Sequence, residues 1–176
     1  IVSSVSISDG KLILNVERAD GSVTVRNSPV TVTNTTTGLS LSIKVSNGLD
    51  RDSKGNYIIA SAYDLAYVSE NINEYLSAGF VMTADVDMSE VGEFKPIGGT
   101  DAAFSGTFDG NGHTVSNLIV NGTSKAALFA TLDSANIKNI TFKNAYVTAQ
   151  GSYAAVLAGQ AVGKTVINNI NIISSE

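Results

Sequence analysis

Asp109 and His113 flank the tight turn Gly110-Asn111-Gly112 in the stretch "FSGTFDGNGHTVSNLIV". A carboxylate and an imidazole four residues apart can share a proton and act as an acid–base pair. His113 is the chain's single histidine. Asp85 and Asp87 form a second cluster, two residues apart and so on one face of a regular strand, with Glu90 and Glu93 behind them. Oxygen ligands grouped in this way can gather calcium, the one cofactor the sequence leaves open. Asp50–Gly55 echoes a calcium loop, but Lys54 stands at a ligand position and Ser61 where a bidentate Glu belongs, so it reads as a turn.

The candidate ligand or cation contacts are therefore Asp85, Asp87, Asp109 and His113. Each has a plainer reading, and the plainer one is preferred. Asp and Asn tolerate unusual backbone angles in a Gly-rich corner, and aspartates at a strand end close turns. A uronate-binding site would also need a nearby cation, and the closest in sequence is Lys125. There is no Ser-His-Asp order, phosphate loop or cluster with metal-ligand spacing. Neither a catalytic residue nor a metal site is assigned, and the expectation is a non-enzyme.

The surrounding chain is built for β-structure. Hydrophobic residues make up 43% of its 176 residues and charged residues only 15%, against about 25% charged in an ordinary domain. Ser, Thr, Asn and Gly carry the solubility, which suits strands and turns. The net charge is −5, and residues 50–101 hold ten acids against three bases, so the middle of the chain carries the deficit. No basic stripe exists to neutralise phosphates, which argues against a nucleic-acid partner. Without Cys there is neither a disulfide nor a thiolate metal site. No apolar run approaches the ~18 residues of a membrane-spanning helix, so membrane insertion is not expected.

Residues 1–49 alternate in short β-type runs: "SVSIS", "KLILNV", "SVTV", "VTVTN" and "LSLSIKV". Asp9-Gly10 and Asp20-Gly21 are hairpin signals. A meander or partial sandwich is expected there, then a polar break at 50–56, "DRDSKGN", and a repeat domain over 57–176. Whether 1–49 joins that domain stays open. After a strand at "YIIAS", Ser61 and Asp64 make a near-capping box. Leu65, Val68, Ile72, Tyr75 and Leu76 then form one helical stripe, with Gly79 as the stop signal. Tyr57, Tyr63, Tyr67 and Tyr75 gather around this helix, as a lid over an open core end or as platforms for sugar rings. "GFVMTADVDMS" reads as one strand and "EVGEFKPIGG" as a loop.

Three later segments share the pattern apolar, any, Asn, apolar, any, apolar: "VSNLIV", "IKNITF" and "INNINI". Their asparagines are Asn117, Asn139 and Asn169, and each copy follows a small-apolar run, "SGTF", "AALFA" or "AAVLAG". Ordered recurrence at 20–30 residues implies a solenoid. A single coil cannot bury enough apolar surface to offset the entropy of ordering it, so coils must stack. The expected fold is all-β, a parallel β-helix of three to five coils with one N-terminal capping α-helix, preceded by a short β-rich segment. Asn117, Asn139 and Asn169 would form a side-chain amide ladder at one corner.

These blocks, from "YIIASAYDLAYVSENIN" through "FSGTFDGNGHTVSNLIV" to "AAVLAGQAVGKTVINNINI", resemble the GLUG-repeat proteins of bacterial surfaces. The resemblance covers about residues 56–176. "VLAGQ" stands where that family's Gly-Leu-hydrophobic-Gly signature belongs, and "AALFA" has alanines where glycines are common. It implies right-handed β-helix modules of adhesin-like proteins, also found beside secreted peptidases that cleave IgA. It supplies no shared catalytic residues.

The expected function is a non-catalytic surface or secreted bacterial module that presents a rigid β-helix to a host surface protein or glycan. The alternatives are a carbohydrate-active enzyme or glycan-binding module, and an accessory domain of a larger secreted peptidase. The chain ends on a strand, "NIISSE", with no cap in sequence, so it is expected to be part of something longer.

Overall fold

The computed structural model describes residues 2–8, 11–16, 28–33, 36–38, 40–45, 48–99 and 101–173. The chain divides into two compact units, 1–48 and 49–176. In the first, β1 (Val2–Ser8) pairs antiparallel with β2 (Lys11–Val16), and β3 (Ser28–Thr33) with β4 (Ser40–Val45). Alternating β-branched and polar residues favour such extended pairs. The "SVTV" run and the turns Asp9-Gly10 and Asp20-Gly21 lie outside the described residues.

The second unit is a parallel β-solenoid of about three turns with one helix near its N-terminal side. It opens with β5 (Tyr57–Ile59) and α1 (Ala62–Glu70). The next coil holds β6 (Gly79–Met82) and β7 (Val86–Asp87). The following coil contains β8 (Thr107–Asp109), β9 (Thr114–Ser116), β10 (Ile119–Gly122), β11 (Lys125–Ala126) and β12 (Phe129–Asp133). Above it lie β13 (Asn136–Lys143), β14 (Tyr146–Ala149), β15 (Tyr153–Ala154) and β16 (Ala158–Val162), and then β17 (Val166–Ile173). Every pairing between these strands is parallel.

Register turns each apolar position into an interior column. Tyr57 stacks on Phe80, Phe80 on Phe108, Phe108 on Ile137 and Ile137 on Ile167. Val86, Val115, Phe142 and Ile172 form a second column. Rings pack along the first column and across to β12, with Phe80–Phe108 centroids 6.0 Å apart and Phe108–Phe129 5.7 Å apart, within the favourable range for offset and edge contacts. At β17 the core ends. Ile137 and Phe142 are fully buried, whereas Ile167 and Ile172 stacked on them are about half exposed.

The N-terminal end is covered. Ser61 caps α1 by accepting from the Asp64 N–H, and the buried Asp64 carboxylate accepts from the Ala60 N–H and the Ser61 hydroxyl. Leu65 and Val68 are buried beneath the helix, and Tyr57, Tyr67 and Tyr75 pack together over the first strands. The Tyr63 hydroxyl donates to the Glu90 carbonyl.

Two elements differ from the expectation. The helix stops at Glu70, and Gly79 begins β6. The backbone and side-chain amides of Asn71 both donate to the Tyr67 carbonyl. This satisfies a helix-end acceptor early and converts 72–74 to a 3-10 turn. Gly79 is a close-approach residue instead: a Cβ there would lie 2.6 Å from the Asn56 side chain. The predicted strand at 79–89 is broken at 83–85 into β6 and β7, because the chain turns a solenoid corner there.

Phe108→Ala removes the ring linking two aromatic neighbours, Phe80 and Phe129, and should cost about 3–5 kcal/mol. Ile172→Ala, at the open end, should cost less than about 1 kcal/mol. Urea denaturation of the two variants measures the difference.

Candidate functional site

The candidate residues lie at two solenoid corners. At the first, Asn169 Nδ2 donates to Asn139 Oδ1 at 2.9 Å, and Asn139 Nδ2 donates to Asp109 Oδ1 at 3.0 Å. At the second, Asn144 Nδ2 donates to Asn117 Oδ1 at 3.4 Å, and Asn117 Nδ2 donates to Asp87 Oδ1 at 2.8 Å. All four asparagines hold φ between 52° and 58°, the left-handed region that Asn visits more readily than other non-glycine residues. The corner thus selects Asn for its backbone, and its amide then links one coil to the next.

The expected single ladder of Asn117, Asn139 and Asn169 is therefore two ladders. Val115 pairs with Phe142 and not with Ile137. The reason is local. β13 runs unbroken through the corner at Asn139, whereas the coil before it interrupts the same side with the turn between β8 and β9. The similar hexapeptides thus fall at different corners. A sequence signal existed in the spacing of thirty residues that links Asp87 to Asn117, Asp109 to Asn139, and Asn139 to Asn169. It becomes visible only when Asp is admitted to the repeat.

Asp109 and His113 do not meet as an acid–base pair, the alternative to the plain corner reading. The turn between them places both Asn111 and Gly112 at positive φ, and His113 N–H donates to the Gly110 carbonyl, the pattern of a type I′ turn. Asp109 accepts from the Asn111 N–H at 2.9 Å and meets the Lys138 ammonium at 3.1 Å. The nearby cation is Lys138, on the next coil, rather than Lys125. The His113 ring instead meets Asp85, Nδ1 to Oδ1 at 3.2 Å, and Asp85 also accepts from the Thr114 N–H at 2.9 Å.

Asp85 and Asp87 serve different neighbours, since the bend at 83–85 separates them. Asp87 accepts from the Ser89 N–H at 3.0 Å as well as from Asn117. Among the described residues, no three His, Asp or Glu side chains converge on a point that could hold a metal ion. Asp52, in the loop that echoes a calcium site, accepts from the Lys54 and Asn56 N–H groups. The second unit takes in this 50–56 stretch. Asp52, Lys54, Asn56, Asp109, Asn111 and Lys138 together line a polar groove of about 350 Å³ along the β6, β8 and β13 face.

These partners hold the carboxylates below the usual range. The Thr114 N–H and then His113 act on Asp85, and the Asn117 amide and then Ser89 act on Asp87. At Asp109 burial pushes upward, but Asn139, the Asn111 N–H and Lys138 together outweigh it. A folded pKa below the unfolded one means that the unfolded chain binds more protons. The stability gained is complete above about pH 4 and is lost as pH falls through the lowered folded values. Urea midpoints should be flat between about pH 7 and 5 and fall below about pH 4, and the double variant Asp87→Asn/Asp109→Asn should flatten that acid limb.

Asn139→Ala should cost about 1–3 kcal/mol, since it removes the hydrogen bonds to Asp109 and Asn169 and replaces a side chain that favours positive φ with one that does not. Asn139→Gly should recover about 1 kcal/mol of the backbone part without restoring the ladder. Chemical denaturation of both variants separates the two contributions.

Comparison with known proteins bears on residues 52–173, which match the family described as the M26 IgA1-specific metallo-endopeptidase N-terminal region. Over 121 residues the chain is 36% identical to halomucin of Haloquadratum walsbyi, an alignment that covers 61% of this chain and 1% of that protein. It is 26% identical over 126 residues to a protein of Evansella cellulosilytica named a Gly-rich membrane protein, covering 66% of this chain and 14% of the relative. The chain thus spans a small part of the length of each relative. Among the described residues no helix is long and apolar enough to cross a membrane, and no solved structure gives a significant match. The zinc-protease motif His-Glu-x-x-His needs two histidines on one helix, and this chain has one histidine, on a turn. The match covers most of the chain and the whole solenoid, so the chain belongs to the family of M26 IgA1-specific metallo-endopeptidase N-terminal regions.

Proposed function

We propose that this chain is a non-catalytic, GLUG-type solenoid module of a larger extracellular or surface-attached protein, where it presents a rigid adhesin-like face to host proteins or glycans. The observation that carries this reading is the engagement of every candidate acid. Asp85, Asp87 and Asp109 each accept hydrogen bonds from the following coil. A general acid or base must be free to exchange its proton with substrate near working pH. Carboxylates held low by two or three donors are poor at that task and good at joining coils.

Membership of a peptidase N-terminal family supports an accessory position beside a catalytic unit. The extreme length of the relatives supports a repetitive, extended parent. Contact with a partner would use side chains on the solenoid faces, since stacked apolar residues fill the interior.

The test is to immobilise the chain and probe it with an array of host glycans and mucin-type glycoproteins, while assaying the same ligands for reducing-end or peptide release. Binding without release is expected, and Asp109→Ala should leave binding at the other faces intact. Turnover that disappears in Asp109→Ala would overturn the reading.

A further inference from the structure

Among the described residues, Lys125 is a partly buried lysine whose ammonium contacts are all neutral. Its Nζ donates to Thr131 Oγ1 at 3.0 Å and to Gln160 Oε1 at 2.6 Å. Thr131 is buried, and register stacks Gln160 on it in the next coil. Among the described residues Lys125 forms no ion pair with a carboxylate, unlike Lys138, which meets Asp109. An ammonium has three donors; two are spent on protein oxygens and the third is unspent. A half-buried ammonium held by neutral acceptors has no counter-charge beside it, and partial desolvation strengthens its pull on an anion.

The space for that anion is already present. Lys125 lies on a pocket of about 340 Å³ whose walls include Lys95, Pro96, Asn121, Thr123 and Ser124, a size within the range of small-ligand sites. Two glycines open it. Gly98 takes φ +78°, and a Cβ on Gly99 would meet nothing within 4 Å. Gly98 and Gly99 line the pocket together with Lys125, and the bare backbone at position 99 leaves that wall open. The lining holds two lysines and no acid, in a chain whose net charge is −5. Lys95 falls in the acid-rich region, yet its pocket partners are hydroxyls, an amide and backbone.

We propose that this pocket binds an acidic saccharide, with Lys125 pairing to a sugar carboxylate or sulfate. Lys95 adds the second positive charge. The Thr123 and Ser124 hydroxyls and the Asn121 side-chain N–H groups meet the neighbouring sugar hydroxyls. Asn121 Oδ1 already accepts from Thr148, which orients that amide with its donors free. The wall combines hydroxyls and an amide, which suit sugar hydroxyls, with apolar surface on which the C–H face of a pyranose ring can rest. The proposal rests on the reading of the chain as a contact module and names the ligand class for one face.

The experiment titrates the folded chain by calorimetry with a sialylated trisaccharide, a chondroitin sulfate tetrasaccharide, neutral lactose and a Glu-rich peptide. Binding of one or both acidic sugars, weakened by salt, with lactose and peptide silent, is the expected result. The sialylated and sulfated arms separate carboxylate from sulfate recognition. Lys125→Gln should weaken binding by about tenfold or more, as expected for loss of a charge-assisted contact. Gly99→Asp places a carboxylate in open space and should do the same with an unchanged melting temperature, so failure to fold cannot mimic the effect. Lys164→Gln, outside the pocket lining, should bind as the parent does. Equal binding of lactose, preference for the peptide, or full affinity in both Lys125→Gln and Gly99→Asp would overturn the pocket while leaving the contact-module reading in place. Silence across these probes together with a blank glycan and mucin array would overturn both.

Discussion

A solenoid corner makes two demands at once: the backbone must enter the left-handed region, and the polar side chain that tolerates it must be satisfied. Asn139 and Asn169 meet both, holding φ near 55° while the amide of each finds the next coil. The amide is suited to this because it carries a donor and an acceptor on one planar group. Asp at the same position can begin such a column but cannot continue it, since an ionised carboxylate only accepts. Asp87 and Asp109 occupy those starting positions. Each column is thus a relay of donors that ends on a charge, the arrangement in which hydrogen bonds are strongest.

The same constraint explains why the residues most suggestive of catalysis are structural. Asp52 closes the turn ahead of β5, Asp64 caps α1, Asp85 holds the Thr114 N–H and Asp87 starts a column. A parallel stack repeats the same backbone geometry every coil, so acceptors are wanted at fixed places. Acids that look clustered in sequence are distributed over separate corners in space. Glycines mark the complementary constraint of close approach. A Cβ on Gly106 would sit 2.0 Å from the Ala78 carbonyl oxygen, and one on Gly110 2.3 Å from that of Asn139.

Much of this was legible in the sequence. The alternation, the ordered repeats and the lone capped helix point to a parallel solenoid because each reflects a local demand: period two for strands, Ser61 with Asp64 for a helix start, Asn-Gly for a corner. What could not be read was phase. "VSNLIV" and "IKNITF" look equivalent because both pass an Asn corner, yet they pass different ones, and only pairing in space shows that Val115 lies on Phe142. Partners across coils were hidden for the same reason. Lys138 reaches Asp109 from twenty-nine residues away along β8–β13 register, and no local pattern marks it. Lys125 drew attention only as a neighbour to Asp109, while the acceptors that hold it, Thr131 and Gln160, sit on two further strands.

The direction of the relay also fixes where an acid can stand in a column. In both columns the amides donate toward the N-terminal end, so the acceptor-only carboxylates must gather in the early coils. Asp87 is one of ten acids in residues 50–101, against three bases, and Asp109 one of three acids in 102–176, against four bases. On the later coils Lys138 faces the Asp109 carboxylate, whereas Lys125 faces a hydroxyl and an amide. An ammonium such as that of Lys125 retains its attraction for an outside anion because the fold has spent its acids elsewhere. Stacking geometry, which decides where Asp and Asn must go, thereby also decides which faces of the solenoid are left with charge to offer.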